Sequence, residues 1–400
     1  MAEARTDDAA EVSRASCLCS DSVDYLAPFE SFRAFAIRNG VVYRGRIRAE
    51  YAGDREALGG ILSRGGEFTL EELDGRLYAT IRAFRRRPKR RLWLHITLLV
   101  LTIITTVGAG AEMTQTHPEE LALIPFNFVV DALTDMTMGA WGRIADSLWP
   151  EFARAMVSGI PFAAALLFVL LSHEMGHYLM ARRYGADATL PFLLPAPFFF
   201  GTVGAIIRMR SPMVHRRALF DVGAAGPLAG LAASLIVCVV GLRMSQYVPV
   251  SAEPHLPFEL GRSALLAGLE RLVMGAAPPM SRVELSPVAI AGWFGLFLTF
   301  LNLMPLGQLD GGHVWYALVG RWQRWVGWTA FTALLGMGAV YRYGLWVFVA
   351  VLALVVVRVK HPPVMEEWVP LGRWRVAVGV LVIVFFVLLF LPEPIAVMGE

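Results

Sequence analysis

Seven stretches of this chain are apolar almost without interruption, at about 92–110, 158–181, 218–242, 286–306, 326–341, 343–358 and 375–391. An α-helix needs about 20 apolar residues to cross the hydrocarbon core of a bilayer. The pattern therefore predicts a polytopic α-helical membrane protein with about seven transmembrane helices. Two of the stretches are short, and the pair flanking Tyr341-Arg342-Tyr343 is where the count is least secure. The segment 120–157 has room for a further amphipathic or re-entrant helix.

Before residue 92 the pattern changes. Residues 1–24 are rich in small and acidic side chains without periodicity and read as a disordered tail. Residues 25–91 read as a small soluble α+β module that ends in a basic flank. Val41 to Arg48 partly alternates, as a half-buried strand does; Arg55 to Arg64 suits a short helix, and Leu77 to Ile81 a second strand. Residues 92–391 form the transmembrane domain, and 392–400 a short C-terminal tail.

Charge fixes an expected orientation. The run Arg85-Arg86-Arg87-Pro88-Lys89-Arg90-Arg91 abuts the first apolar stretch. Alone it would suit nucleic acid, but beside a span it reads as a cytoplasmic flank attracted by anionic lipid, so no nucleic-acid partner is expected. Alternation from that point puts Arg182-Arg183, Arg208 to Arg217, Arg321-Arg324 and Arg358 to Arg375 on the same side. The opposite side receives 111–157 and 243–285, where basic residues are sparser. The expected protein is integral and multi-pass, with a cytoplasmic N-terminus, in a plasma (inner) membrane.

Composition agrees. The 400 residues are 56% hydrophobic and only 17% charged, whereas soluble domains sit nearer one quarter charged. Three cysteines supply no disulfide framework: Cys17 and Cys19 fall in the tail and Cys238 in an apolar run. The first apolar stretch starts too late to be a secretory signal.

The candidate chemistry lies in the second stretch, at Leu171-Ser172-His173-Glu174-Met175-Gly176-His177. Residues four apart share a helix face, so both imidazoles can reach one Zn²⁺ with Glu174 beside them. A zinc ion with an open position acidifies water, and an adjacent carboxylate can accept the proton. Such a five-residue pattern arises by chance in about one chain of this length per hundred. Ionisable groups inside a spanning helix are costly, which favours function over polar helix-packing, the alternative reading. A catalytic zinc usually has a third protein ligand. Asp310 is the candidate, in Asn302-Leu303-Met304-Pro305-Leu306-Gly307-Gln308-Leu309-Asp310-Gly311-Gly312-His313, where Pro and Gly break the helix as they do beside a cavity. An ordinary loop aspartate is the alternative.

These residues resemble the site-2 proteases, zinc peptidases that cut substrates inside the membrane. His173 to His177 resembles the zinc helix of that family. Asn302, Pro305, Leu309, Asp310 and Gly311 resemble its second motif, whose aspartate is the third ligand. Pro191-Phe192-Leu193-Leu194-Pro195-Ala196-Pro197 and Gly201-Thr202-Val203-Gly204-Ala205 are similar to its membrane-associated β-region, and Gly223 to Gly230 to the small-residue helix that packs on the zinc helix. The resemblance covers about 155–315. It implies one Zn²⁺ held by His173, His177 and Asp310, Glu174 as catalytic base, and Asn302 binding or orienting the substrate backbone. A helix-packing role is the alternative for Asn302. Residues 190–210 would form a hairpin that clamps an extended substrate through Gly201, Thr202, Val203 and Gly204, with a merely structural loop as the alternative.

The expected activity is hydrolysis of transmembrane segments of other membrane proteins, in regulated intramembrane proteolysis. Arg182-Arg183 follow the zinc helix closely, which sets the site nearer the cytoplasmic face. A catalytically silent membrane binding protein and a metal transporter are the alternatives. His313, near Asp310, could orient that carboxylate.

Overall fold

The computed structural model describes residues 23–84, 92–114 and 149–397, with 38–39, 197–199, 210–212, 214, 252–257, 343, 363 and 365 excepted. Most of the expected tail, the basic run 85–91, residues 120–148 of the 120–157 segment, Pro197 and Arg210 lie outside the described residues, as do Cys17, Cys19, His117 and His255. The chain divides into two compact units between Arg91 and Leu92.

In the first unit, β1 (Phe29–Ile37), β2 (Gly40–Ile47), β3 (Glu67–Leu73) and β4 (Arg76–Phe84) form an antiparallel sheet of order β1-β2-β4-β3. Alternate positions Tyr43, Ile47, Ala79 and Ile81 pack with Leu58 and Leu62 of α1 (Arg55–Leu62). The Asp54 carboxylate caps α1 by accepting from the backbone N–H groups of Glu56 and Ala57. On the other pleat Arg44 is buried and donates to Thr80 Oγ1 at 2.8 Å and to Glu71.

The second unit is helical. Its elements run α2 (Leu92–Thr114), α3 (Trp149–Arg183), β5 (Phe192–Pro195), β6 (Thr202–Ile206), α4 (Arg216–Met244), β7 (Gln246–Pro249), β8 (Phe258–Leu260) and α5 (Ala264–Met274). There follow β9 (Ser281–Glu284), α6 (Pro287–Asn302), α7 (Asp310–Val319), α8 (Gln323–Val340), α9 (Gly344–Leu352), a π-helical turn at Ala353–Val357, α10 (Arg373–Leu388) and β10 (Ile395–Val397). Every apolar stretch of the sequence falls on one of these helices. Three of them, Leu92–Thr114, Ala153–Arg183 and Arg216–Met244, are long and apolar enough to cross a membrane; Pro287–Asn302 and Gly344–Val355 are shorter apolar helices. Residues 149–157 of the segment with room for an extra helix are the first turns of α3.

Helix α4 is central and packs against α3, α6 and α7. Its composition explains the position. Small residues along one side let neighbouring backbones approach, and its buried set includes Gly223, Gly226, Gly230 and Ser234. The His215 ring accepts from the Ala218 N–H and starts the helix. Between the helices lies one apolar core containing Phe162, Leu166, Phe220, Trp293, Phe300 and Trp346. The two buried indoles find partners, Trp293 donating to the Gly261 carbonyl at 2.7 Å and Trp346 to that of Pro392 at 2.6 Å. Outward faces are apolar as well: Leu92, Ile96, Val100 and Ile104 of α2, and Val376, Val380 and Val387 of α10, are exposed. Water would not tolerate such stripes, and lipid does.

Strands β5 and β6 form an antiparallel hairpin in the register Phe192↔Ile206, Leu193↔Ala205, Leu194↔Gly204 and Pro195↔Thr202. Helix α2 holds it. Thr105 donates to the Gly201 carbonyl at 2.6 Å, and the His95 ring stacks on Phe192 while its Nδ1–H donates to the Pro191 carbonyl.

Candidate metal centre

Helix α3 brings His173 and His177 to one face, as the four-residue spacing requires. Both are buried, with 8% and 7% of their surface exposed. Asp310 arrives from another direction, as the first residue of α7. The chain stops being helical after Asn302, turns through Pro305 and Gly307, and restarts at Asp310. Gly311 is required there, because a Cβ would lie 2.0 Å from the Leu303 carbonyl oxygen.

The three side chains converge. His173 Nε2 and His177 Nε2 are 3.2 Å apart, and each is 3.2 Å from Asp310 Oδ2. Among the described residues this is the group that could hold a metal ion. Donors about 2.0–2.1 Å from one tetrahedral ion stand about 3.3–3.4 Å from each other. The triangle therefore has the size of one face of a zinc tetrahedron, with two nitrogens and one oxygen, and its fourth corner is left for water or substrate.

The rings are held from behind. His177 Nδ1–H donates to the Val222 carbonyl at 2.7 Å, which fixes the tautomer with the Nε2 lone pair towards the centre. Helix α4 makes room for both rings by lacking side chains. A Cβ on Gly226 would lie 2.0 Å from His177 Nε2, and one on Gly230 would lie 2.8 Å from His173 Nδ1. One turn earlier, Gly223 faces the Cβ of His313.

Glu174 is also buried, next to the triangle on the same helix, with the backbone N–H of Ile207, just past the end of β6, near its carboxylate. Asn302 closes the site from α6, its Nδ2 lying 3.3 Å from His173 Nε2. The motif residues thus gather from three separate helices.

The hairpin residues divide. Val203 is 63% exposed and Gly204 has a φ of 125°, while Thr202 is buried and donates to the Leu194 carbonyl. Gly201, with a φ of 78°, lies against α2, where a Cβ would meet the Thr105 carbonyl at 2.4 Å. Gly201 and Thr202 hold the turn. The hairpin position whose backbone lies near Glu174 is Ile207, an unremarkable apolar position in the sequence.

His313 does not orient Asp310 through a hydrogen bond. Its Nδ1–H donates to His361 Nε2 at 2.7 Å, and His361 Nδ1–H donates to the Pro362 carbonyl. The Asp310 loop is instead positioned by Gln323. This buried amide donates from Nε2 to the carbonyls of Pro305 (3.1 Å) and Val359 (3.3 Å), and its Oε1 accepts from the His361 N–H (3.1 Å). Gly307 N–H also bonds to the Val359 carbonyl. Motif reading missed Gln323 and residues 359–361; a lone amide between a broken helix and an apolar run is the one signal that could have pointed to them.

Comparison with known proteins agrees with the motifs. Residues 161–340 match peptidase family M50, and the resemblance to the site-2 proteases holds. A protein of Oryza sativa subsp. japonica named "Probable zinc metalloprotease EGY1, chloroplastic" is 32% identical over 316 residues, covering 75% of this chain and 50% of that protein. "Probable zinc metalloprotease EGY2, chloroplastic" of Arabidopsis thaliana is 34% identical over 246 residues, 60% of this chain and 43% of the relative. The Arabidopsis thaliana protein named "Probable zinc metalloprotease EGY1, chloroplastic" is 28% identical over 314 residues, 75% of this chain and 54% of that one. The chain spans about half the length of these relatives. No solved structure matches it.

Proposed function

We propose, on the premise of an M50-type segment, that this chain is an intramembrane zinc endopeptidase that hydrolyses transmembrane segments of other membrane proteins in regulated intramembrane proteolysis. The observation that carries the proposal is the 3.2 Å triangle of His173 Nε2, His177 Nε2 and Asp310 Oδ2 with the Glu174 carboxylate beside it. In this reading the three side chains bind one Zn²⁺. A zinc ion there acidifies water and polarises the carbonyl to be attacked. Glu174 takes the proton of the attacking water and delivers it to the leaving amine. The amide of Asn302, with two donors and one acceptor, holds the substrate backbone without bringing a charge into the membrane.

A helical substrate must become extended before its peptide bonds can be reached. Strand β6 pairs with β5 on one side and has no second strand partner among the described residues. That edge, with exposed Val203 and flexible Gly204, suits strand addition by the substrate, and Gly201 and Thr202 set its turn.

We infer seven spans, with the small N-terminal α+β module (25–91) on the cytoplasmic side of a plasma (inner) membrane. The support is spatial. Chain ends that alternation assigns to one side meet at one end of the bundle. There Arg375 forms a two-pronged pair with Asp221, Tyr184 donates to the same carboxylate, Arg216 donates to the Ala317 carbonyl and Arg217 to that of Pro370. At the other end Met113, Met244, Leu260 and Pro287 line one cavity of about 840 Å³, and β10 pairs with β8. The basic end is the cytoplasmic one by charge bias.

Purified chain in proteoliposomes with a single-span substrate tests the proposal. Mass spectrometry should find fragments cut inside the spanning segment when zinc is present. No cleavage by zinc-loaded protein would favour a silent binding protein. Zinc flux into sealed vesicles would favour a transporter.

A further inference from the structure

Helices α8 and α9 are consecutive, packed on each other and joined by a short turn, so the start of α8 and the end of the π-helical turn after α9 lie together. The bond from the His361 N–H to Gln323 Oε1 fixes this. Between them is a pocket of about 380 Å³ lined by Gln308, Trp328, Leu354, Arg358, Val359 and Lys360, with His361 and Pro362 at its edge.

The lining has two halves. Trp328, on α8, and Leu354, in the π-helical turn, are apolar. Arg358 and Lys360 are exposed, and neither makes an ion pair among the described residues. Arg358 adopts a φ of 64°, which costs a non-glycine residue energy and is found where the surrounding structure demands it. Trp322, just before α8, and Trp325 and Trp328 within it recur every third residue and are 64%, 56% and 38% exposed. Exposed tryptophans at the end of an apolar helix mark the membrane–water boundary, where the ring spans tails and headgroups. A pocket at that level with an apolar floor and two unpaired cations fits a phosphate attached to acyl chains.

We propose that this pocket binds an anionic phospholipid, with Arg358 and Lys360 on the headgroup phosphate and Trp328 and Leu354 against the adjoining glycerol and upper acyl chain. The proposal rests on α8 and α9 spanning the bilayer and is independent of peptidase chemistry. The site abuts the Asp310 loop, since Gln308 lines it and Gly307 bonds to Val359.

A flank of basic residues also attracts anionic lipid without a pocket, by about the same contribution from every cation near the surface. The test separates the two. The full chain, purified in detergent, is titrated with phosphatidylglycerol or phosphatidylcholine and bound lipid is counted by native mass spectrometry. Wild type should retain one phosphatidylglycerol in preference to phosphatidylcholine. R358Q/K360Q should weaken that binding by about thirtyfold. R321Q/R324Q, with the same loss of charge on the same end of the bundle, should leave it unchanged. Equal weakening by both pairs would assign the binding to diffuse attraction and overturn the proposal, as would retention by R358Q/K360Q. Displacement of the lipid by millimolar inorganic phosphate would make this a free-phosphate pocket and overturn the lipid assignment.

Discussion

Replacing Gly226 by alanine should strip the metal while sparing the helix. Residue 226 lies inside α4, where alanine favours the helix by about 1 kcal/mol over glycine. The added Cβ would nevertheless lie 2.0, 2.3 and 2.4 Å from His177 Nε2, Cδ2 and Cε1. Ordinary carbon contacts need about 3.5 Å, so the ring must move by on the order of 1 Å. Metal ligation tolerates displacements of about 0.2 Å. The ring has little freedom to slide, because Nδ1 is bonded to the Val222 carbonyl at 2.7 Å. Losing an outer hydrogen-bond partner of a ligand costs about 10–100-fold in metal affinity, and displacing the ligand itself should cost at least as much. Zinc content by elemental analysis, with affinity from chelator competition, is the assay. Gly336→Ala is the control, since its Cβ would meet nothing within 4 Å. Gly230→Ala, with a contact of 2.8 Å, should weaken binding less. Zinc bound to Gly226→Ala with wild-type affinity would refute the geometry of the site.

Asp310→Ala should lower zinc content while leaving the helices intact by circular dichroism; unchanged stoichiometry and affinity would remove Asp310 from the ligand set. Gln323→Met keeps the volume but leaves the Pro305 carbonyl and the His361 N–H without their partner and the Val359 carbonyl with Gly307 alone, at a cost of about 1–3 kcal/mol. It should also weaken zinc binding, and an unaltered thermal midpoint would exclude the clamp. His361 is pushed down to about 3, first by burial and then by His313 beside it. Its folded value lies below the ordinary one of about 6.5, so its contribution to stability is complete above that pH and is lost as pH falls from there towards 3. Protection factors at 359–361, which remove the intrinsic slowing of exchange at lower pH, should fall between roughly pH 7 and 5, and less so in His361→Asn; an equal fall in both proteins would assign the effect elsewhere.

The parts of this protein that follow periodic rules were legible in its sequence. Four-residue spacing put His173 and His177 on one face, and apolar runs located the helices because a long uninterrupted apolar run satisfies its backbone groups internally as a helix. The alternation at Val41 to Arg48 coincides with β2. What was not legible depends on backbone meeting backbone. The Val222 carbonyl behind His177 and the clamp of Gln323 on Pro305 and Val359 use main-chain groups that every residue carries. Residue identity gives no sign of them. Gly226 and Gly230 were read as small residues for helix packing, whereas the groups they admit are the two imidazole rings themselves. His313 misled because closeness in sequence to Asp310 suggested a bond that the structure directs to His361 instead.

The central claim is that Glu174 performs chemistry on zinc held by its neighbours, and one paired measurement addresses it. Zinc content and cleavage of a spanning segment are determined on the same proteoliposome preparation of Glu174→Gln. The account predicts one zinc per chain, as in wild type, with turnover reduced by a factor of about 100 or more. Cleavage at the wild-type rate with Glu174 gone would contradict it.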